Sequence, residues 1–270
     1  MSEQSVRAPR RHRFAWLLVL VGGVAAYLIV LRTLVATQNP LYVPSLLLLG
    51  SAVVPAAVLV YAASGRSGSP VGAGVIAATA GIGGVFGTVA AGTLEYDTLQ
   101  RLGAVPMIMV GLIEESAKLV VPLVILIFVR WLRVPAAGVV IGVASGMGFA
   151  TLETMGYGFS ALLQSRSIAE LDQTLLLRGL LSPAGHVAWT GITTAALWHL
   201  ASAPHKGRAI LLFLGAFVGS IALHALWDGT NSVLVRALVG LVSFGALLVV
   251  VRRSRRSGQT GPAGTPVEPK

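Results

Sequence analysis

Apolar residues run along this chain in blocks of about twenty, the length of a helix that crosses a hydrocarbon core, and short polar breaks separate them. Eight such blocks are legible, at 14–34, 41–62, 71–92, 106–129, 134–163, 181–201, 209–228 and 232–251. The pattern predicts an all-α fold, a polytopic transmembrane bundle of about eight spans. The longest connection, RSIAELDQTLLLRG at 166–179, predicts a folded loop or an amphipathic segment at the membrane surface. Residues 1–13 read as a basic N-terminus and 14–251 as one membrane-embedded domain. Residues 252–270, rich in Gly, Pro, Ser and Thr with no apolar period, read as a disordered basic tail.

Composition excludes the ordinary soluble globule: 55% of residues are hydrophobic and only 11% charged, where about a quarter would be charged in a soluble domain. The absence of cysteine removes disulfides and thiolate chemistry, so His, Asp and Glu carry any catalysis or metal binding. The net charge of +10 gathers at the two ends, in Arg7, Arg10, Arg11, Arg13 and in Arg252, Arg253, Arg255, Arg256. That is a topology signal and not a nucleic-acid surface.

Orientation follows from the basic flanks. With both termini in the cytoplasm, Arg66, Arg130, Arg133, Lys206, Arg208 and Lys270 join those arginines inside, against Arg32, Arg101, Arg166 and Arg178 outside. The apolar core of the first segment is too long for a cleaved signal peptide and no small-residue cleavage site follows it, so it reads as a retained anchor in the plasma membrane.

A charge inside an apolar span is costly and by default functional. The fourth span carries Glu114, Glu115 and Lys118, the fifth Glu153, the sixth His186 and His199, and the seventh His224 and Asp228. At about 1.5 Å per residue, Glu114, Glu115, Glu153, His186 and His224 all lie roughly 6 to 15 Å below the outer ends of their spans. Spans that alternate in direction would scatter such groups if they were placed at random. The agreement predicts one pocket in the outer half, between spans four to seven.

Residues four apart share a helix face, which pairs Glu114 with Lys118, Phe149 with Glu153, His186 with Thr190, and His224 with Asp228. A carboxylate one turn from an imidazole can fix its tautomer. Glu115 points about 100° round the helix from Glu114, so one of the two can face the pocket while the other bonds a neighbouring helix. The bland alternatives are a structural Glu114–Lys118 ion pair, an interfacial His224–Asp228 cap and a structural hydrogen bond at Glu153. His199, His205 and His12 read as interfacial or surface residues. Gly142 with Gly146, Gly215 with Gly219, and GIGGVFG at 81–87 read as sites of close helix packing.

Buried glutamates and histidines around water suit general-base hydrolysis, with a histidine stabilising the oxyanion. They equally suit a zinc set with one position open for water. The residues leave both open, and HExxH is absent. A proton- or cation-coupled transporter is the alternative class, and a non-catalytic scaffold a third. Against transport stand the lack of a repeat of the polar motifs between the chain's halves and their confinement to one side.

EESAK (Glu114, Glu115, Lys118), FATLE (Phe149, Glu153), HVAWT (His186) and HALWD (His224, Asp228) follow in order on successive spans. Together they resemble the PrsW family of intramembrane proteases, distant relatives of the CAAX prenyl endopeptidases and Abi proteins. The resemblance implies an intramembrane endopeptidase of the metalloprotease kind that cuts a membrane-anchored, anti-sigma-factor-like protein near the extracytoplasmic face. It makes Glu114 and Glu115 the base and its partner, with His186 and His224 as ligands or oxyanion stabilisers. Lys118, Phe149, Glu153 and Asp228 become supporting residues. His186, His224 and Glu153 are the candidate ligands of a divalent metal, zinc being the expected ion. The partners it implies are that substrate and the lipid bilayer; nucleic acid is set aside by the placement of the basic residues at the two ends.

Overall fold

The computed structural model describes residues 14–64, 69 and 71–257. Among these residues the chain forms nine α-helices and no strand: α1 (Ala15–Thr37), α2 (Val43–Ala63), α3 (Ala73–Leu102), α4 (Met107–Phe128), α5 (Pro135–Ser165), α6 (Ile168–Leu181), α7 (His186–Ser202), α8 (Lys206–Gly229) and α9 (Val233–Ser257). The all-α bundle expected from the sequence is therefore present, and each apolar block has its helix. Six helices, α1, α2, α3, α5, α8 and α9, are long and apolar enough to cross a membrane. α4 falls outside that group because Glu114, Glu115 and Lys118 interrupt it, and α7 because it has only 17 residues. The expectations for residues 1–13, including His12, and for 258–270 lie outside the described residues, whereas 252–257, read from sequence as the start of the disordered tail 252–270, is the last part of α9.

At three boundaries the departure from the apolar blocks has a clear local reason. α3 continues past Gly92 through a polar but helix-compatible stretch, until Gly103 closes it in the left-handed conformation at φ 69°. The segment at 166–179 is a helix, not a loop. Arg166 ends α5 at φ 54°, and the Ser167 side chain then caps α6 by accepting from the Glu170 N–H at 3.4 Å. The sixth block, predicted from residue 181, starts as a helix only at His186. Pro183 lies in a short turn over Ser182–Ala184, and Gly185 has φ −114° and ψ −117°, outside helical space. His186 is thus the first residue of its helix rather than one buried a turn inside it.

α5 is the hub. Small residues let its neighbours come close, and nearly every residue from Ala137 to Thr151 is buried. A β-carbon at Gly138 would lie 2.6 Å from Trp198 Cβ, at Gly142 2.6 Å from Thr194 Cβ, and at Gly146 2.6 Å from the His186 carbonyl oxygen. α7 therefore packs along this glycine stripe, as the spacing of Gly142 and Gly146 predicts. Trp198 Nε1 donates to the Leu132 carbonyl at 2.6 Å and Trp189 Nε1 to Ser243 Oγ at 2.9 Å, which ties α7 to the end of α4's loop and to α9. The pair Gly215 and Gly219 behaves differently: a β-carbon at either would meet nothing within 4 Å, so that face of α8 packs on no described residue.

α3 crosses α5 at a second glycine contact. A β-carbon at Gly84 would lie 2.7 Å from the backbone carbon of Gly148, and one at Gly148 would collide with the carbonyl oxygen of Ala80. Backbone cannot step aside as a side-chain tip does. Gly148→Ala is expected to lower the unfolding temperature in detergent, at a cost of about 1 to 3 kcal/mol. Gly215→Ala, with open space around it, should unfold at the wild-type temperature, and equal behaviour of the two variants would contradict this packing.

Candidate active site

Four helices bring their intramembrane charges to one place. α4 gives Glu114, Glu115 and Lys118, α5 gives Phe149 and Glu153, α7 gives His186 at its first turn, and α8 gives His224 and Asp228 near its end. The close approach of α4 to α8 depends on Gly111, where a β-carbon would lie 2.9 Å from the Ile221 carbonyl oxygen and 3.5 Å from His224 Cβ.

Lys118 occupies the middle of the cluster and is fully buried. Its ammonium lies 2.7 Å from Glu115 Oε1 and 3.4 Å from Glu114 Oε2. It also donates to His186 Nδ1 at 2.8 Å and sits 4.4 Å from the centre of the Phe149 ring. The carbonyl of Lys118 accepts from Ser145 Oγ at 2.8 Å, which anchors this turn of α4 on α5. An ammonium away from water is tolerated only with such partners. The sequence spacing pairs Lys118 with Glu114, whereas the tighter partner is Glu115, one residue nearer.

The two glutamates point in different directions, as their angular offset requires. Glu115 is fixed: besides Lys118, its Oε1 accepts from His224 Nδ1 at 2.9 Å. Glu114 is held more loosely, its Oε2 lying 3.4 Å from Lys118 Nζ, 3.6 Å from His224 Nε2 and 3.8 Å from His186 Nδ1.

His224 is fully buried and stacked on Trp189, with ring centres 4.8 Å apart and planes 25° from parallel. The carboxylate that fixes its tautomer is Glu115 on another helix, not Asp228 one turn away. With the proton on Nδ1, the Nε2 lone pair is free. Asp228 Oδ2 lies 3.1 Å from Nε2, yet that nitrogen is buried without a hydrogen bond. His186 is bounded by the rings of Phe149, Trp189 and His224 at 5.3, 5.5 and 5.0 Å. Its Nε2 faces Glu153 Oε2 at 2.9 Å.

One atom each from Glu114, His186 and His224 lie within 4.8 Å of one another, a spacing at which three ligands could close on one cation. The donors fit a divalent metal. Two imidazoles and a carboxylate are an ordinary set, and an orphaned buried Nε2 backed through Nδ1 by a carboxylate is how a ligating histidine is normally prepared. Glu153, the third candidate ligand in the sequence reading, stands on the other side of His186 from this trio.

The site also includes residues that the sequence reading passed over. Arg178 on α6 places a guanidinium nitrogen 2.8 Å from Glu153 Oε2 and stacks over the Tyr157 ring at 3.7 Å. In the sequence it reads as a flanking charge on the outer side, in a segment expected to be a loop or an amphipathic element at the membrane surface. Glu95 on α3 is half-buried, and its Oε1 is buried without a hydrogen-bond partner among the described residues. It lies just past the apolar block that ended at Gly92. The signal that could have found it is the helix-compatible run up to Gly103. His199 and His205 are exposed and stand apart from the cluster, as expected.

No curated protein and no solved structure matches the chain. A family model does match, that of the PrsW family intramembrane metalloproteases, over residues 69–252. The match runs from α3 into α9 and takes in every residue of the cluster. This integral membrane chain belongs to the PrsW family of intramembrane metalloproteases, and so is an intramembrane peptidase that acts on a protein substrate in the membrane.

Proposed function

We propose that this peptidase cuts a single-span, anti-sigma-factor-like protein near the extracytoplasmic face of the plasma membrane, from a pocket between α4, α5, α7 and α8. The observation that carries the reading is the convergence of two glutamates and two histidines around one buried ammonium in a bundle of apolar helices. The outward placement rests on the basic flanks and cytoplasmic termini, which make α4 and α7 crossing helices too and give eight spans.

Glu114 is the proton acceptor. Its contacts are longer than those that pin Glu115, so its carboxylate can take a proton from water as the water oxygen attacks the scissile carbonyl carbon. The same carboxyl group returns the proton to the departing amine as the C–N bond breaks. Glu115 orients His224 and neutralises Lys118, while the rings of Phe149 and Trp189 restrict His186 and His224 and keep bulk water out.

His186 and His224 would hold the divalent metal that the family implies, zinc being the ion their donors suit, and Glu114 would complete the set through one carboxylate oxygen, leaving the other to accept the proton. When bound it supplies Lewis-acid polarisation of the carbonyl and a more acidic water. Lys118, which bonds His186 Nδ1 without it, keeps Glu115 as its partner at 2.7 Å.

The test is cleavage of a single-span reporter reconstituted in vesicles with the purified chain. Wild type should release the soluble half, and a chelator should stop it until zinc is restored. His224→Ala should abolish release and bind zinc more weakly. Cleavage that survives both chelator and His224→Ala would overturn these assignments, and a pH-dependent ion flux without cleavage would point to transport.

A further inference from the structure

Glu153 Oε2 sits between two positive or proton-bearing groups, Arg178 at 2.8 Å and His186 Nε2 at 2.9 Å, yet it makes no well-directed hydrogen bond. Its place is set by charge on both sides rather than by a rigid bonding pattern. A carboxylate oxygen 2.9 Å away, with no competing carboxylate on the other ring nitrogen's hydrogen bond, favours the hydrogen of His186 on Nε2. Nδ1 then carries the lone pair, consistent with the hydrogen bond it receives from Lys118 at 2.8 Å. Without a cation behind it, the carboxylate loses half of what holds it against the ring.

That cation comes from α6, and α6 is gripped from behind. Tyr27 of α1 donates to Asp172 Oδ1 at 2.5 Å. Leu171 and Leu175 are fully buried in a cluster with Tyr27, Leu46 and Leu47. Gly179 approaches the Gly50 carbonyl on α2 so closely that a β-carbon would collide with it. Tyr157 of α5 supports the guanidinium from below. α1 and α2 lie outside the residues that match the family, so the support for α6 comes from a part of the chain the match does not cover.

We infer that Arg178 is a positioning residue of the protease site: from α6, braced by α1 and α2, it fixes Glu153 and through it the His186 nitrogen that faces Glu114 and His224. The inference rests on His186 being a site residue, as the proposed function has it. Arg178 touches neither metal nor substrate in this role. It sets the orientation and tautomer of a residue that does.

The experiment uses the purified full-length chain in detergent, first without metal. The tautomer of His186 is read from long-range ¹H–¹⁵N spectra, assigned by the peaks that His186→Gln removes. Zinc affinity is then measured by competition with a chromogenic chelator, and unfolding temperature alongside. Wild type should show the Nε2–H form. Arg178→Met should give mixed tautomers and bind zinc about 10- to 100-fold more weakly at an unchanged unfolding temperature. Arg178→Lys should recover most of both, and on a Glu153→Gln background Arg178→Met should add nothing. A wild-type tautomer and zinc affinity in Arg178→Met would overturn the inference, as would an equal loss on the Glu153→Gln background or a loss that merely tracks unfolding. Should wild type fail to cleave the reporter, the proposed function falls while the tautomer readout still decides the role of Arg178.

Discussion

Replacing Glu114 by Gln is expected to slow reporter cleavage about a thousandfold while the protein unfolds close to the wild-type temperature. The amide keeps the shape of the carboxylate but removes its charge, its ability to accept a proton and its value as an anionic ligand, so cleavage is compared at saturating zinc. Stability should survive because Glu114 is the weaker partner of Lys118, at 3.4 Å against 2.7 Å for Glu115. Glu115→Gln should behave differently, since it weakens both the tight ion pair and the bond that orients His224, and so lowers activity and unfolding temperature together. The comparison separates the acceptor from its support. Cleavage by Glu114→Gln within tenfold of wild type would remove it from that role.

The bilayer explains why so much of this site could be read without coordinates. Apolar blocks must be helical to satisfy their backbone in lipid, so eight of the helices announce themselves by length alone. A charge inside such a block is costly enough to require company. Glu114, Glu115, Lys118, Glu153, His186 and His224 therefore marked themselves, and their common depth foretold that they meet. The partners within the cluster were less legible. Spacing by four suggested Glu114 for Lys118 and Asp228 for His224, but Lys118 pairs more tightly with Glu115, its i,i+3 neighbour within α4, and the close approach of α4 to α8 at Gly111 brings that same carboxylate to His224.

Arg178 and Glu95 were hidden for the opposite reason. Polar residues at the edge of an apolar block look like membrane-surface chemistry, and only the fold shows that α6 and the last turns of α3 turn them inward. The stripes of small residues carried half their meaning: Gly142 and Gly146 pack on α7, while Gly215 and Gly219 meet none of the described residues. Spacing alone reports that a helix can be approached, not that it is.

Lys118→Met should be the most damaging single change to the fold. It removes a fully buried ammonium and leaves Glu114 and Glu115 facing each other's field with their cation gone, together with His186 Nδ1 without its donor. Breaking a buried pair from one side costs about 3 to 5 kcal/mol, because the remaining charge stays desolvated. The expected result is a large drop in unfolding temperature in detergent, or failure to recover folded protein. Neutralising the tighter partner as well should reverse part of this. Glu115→Gln combined with Lys118→Met keeps an oxygen for the His224 Nδ1–H and removes the more deeply buried of the two unpaired charges, so the double variant should be more stable than Lys118→Met alone. Such recovery would identify the pair as a charge-compensation device that lets the site keep carboxylates at membrane depth. A Lys118→Met protein as stable as wild type would mean that the two glutamates do not depend on that ammonium, and the polar cluster would need another source of compensation.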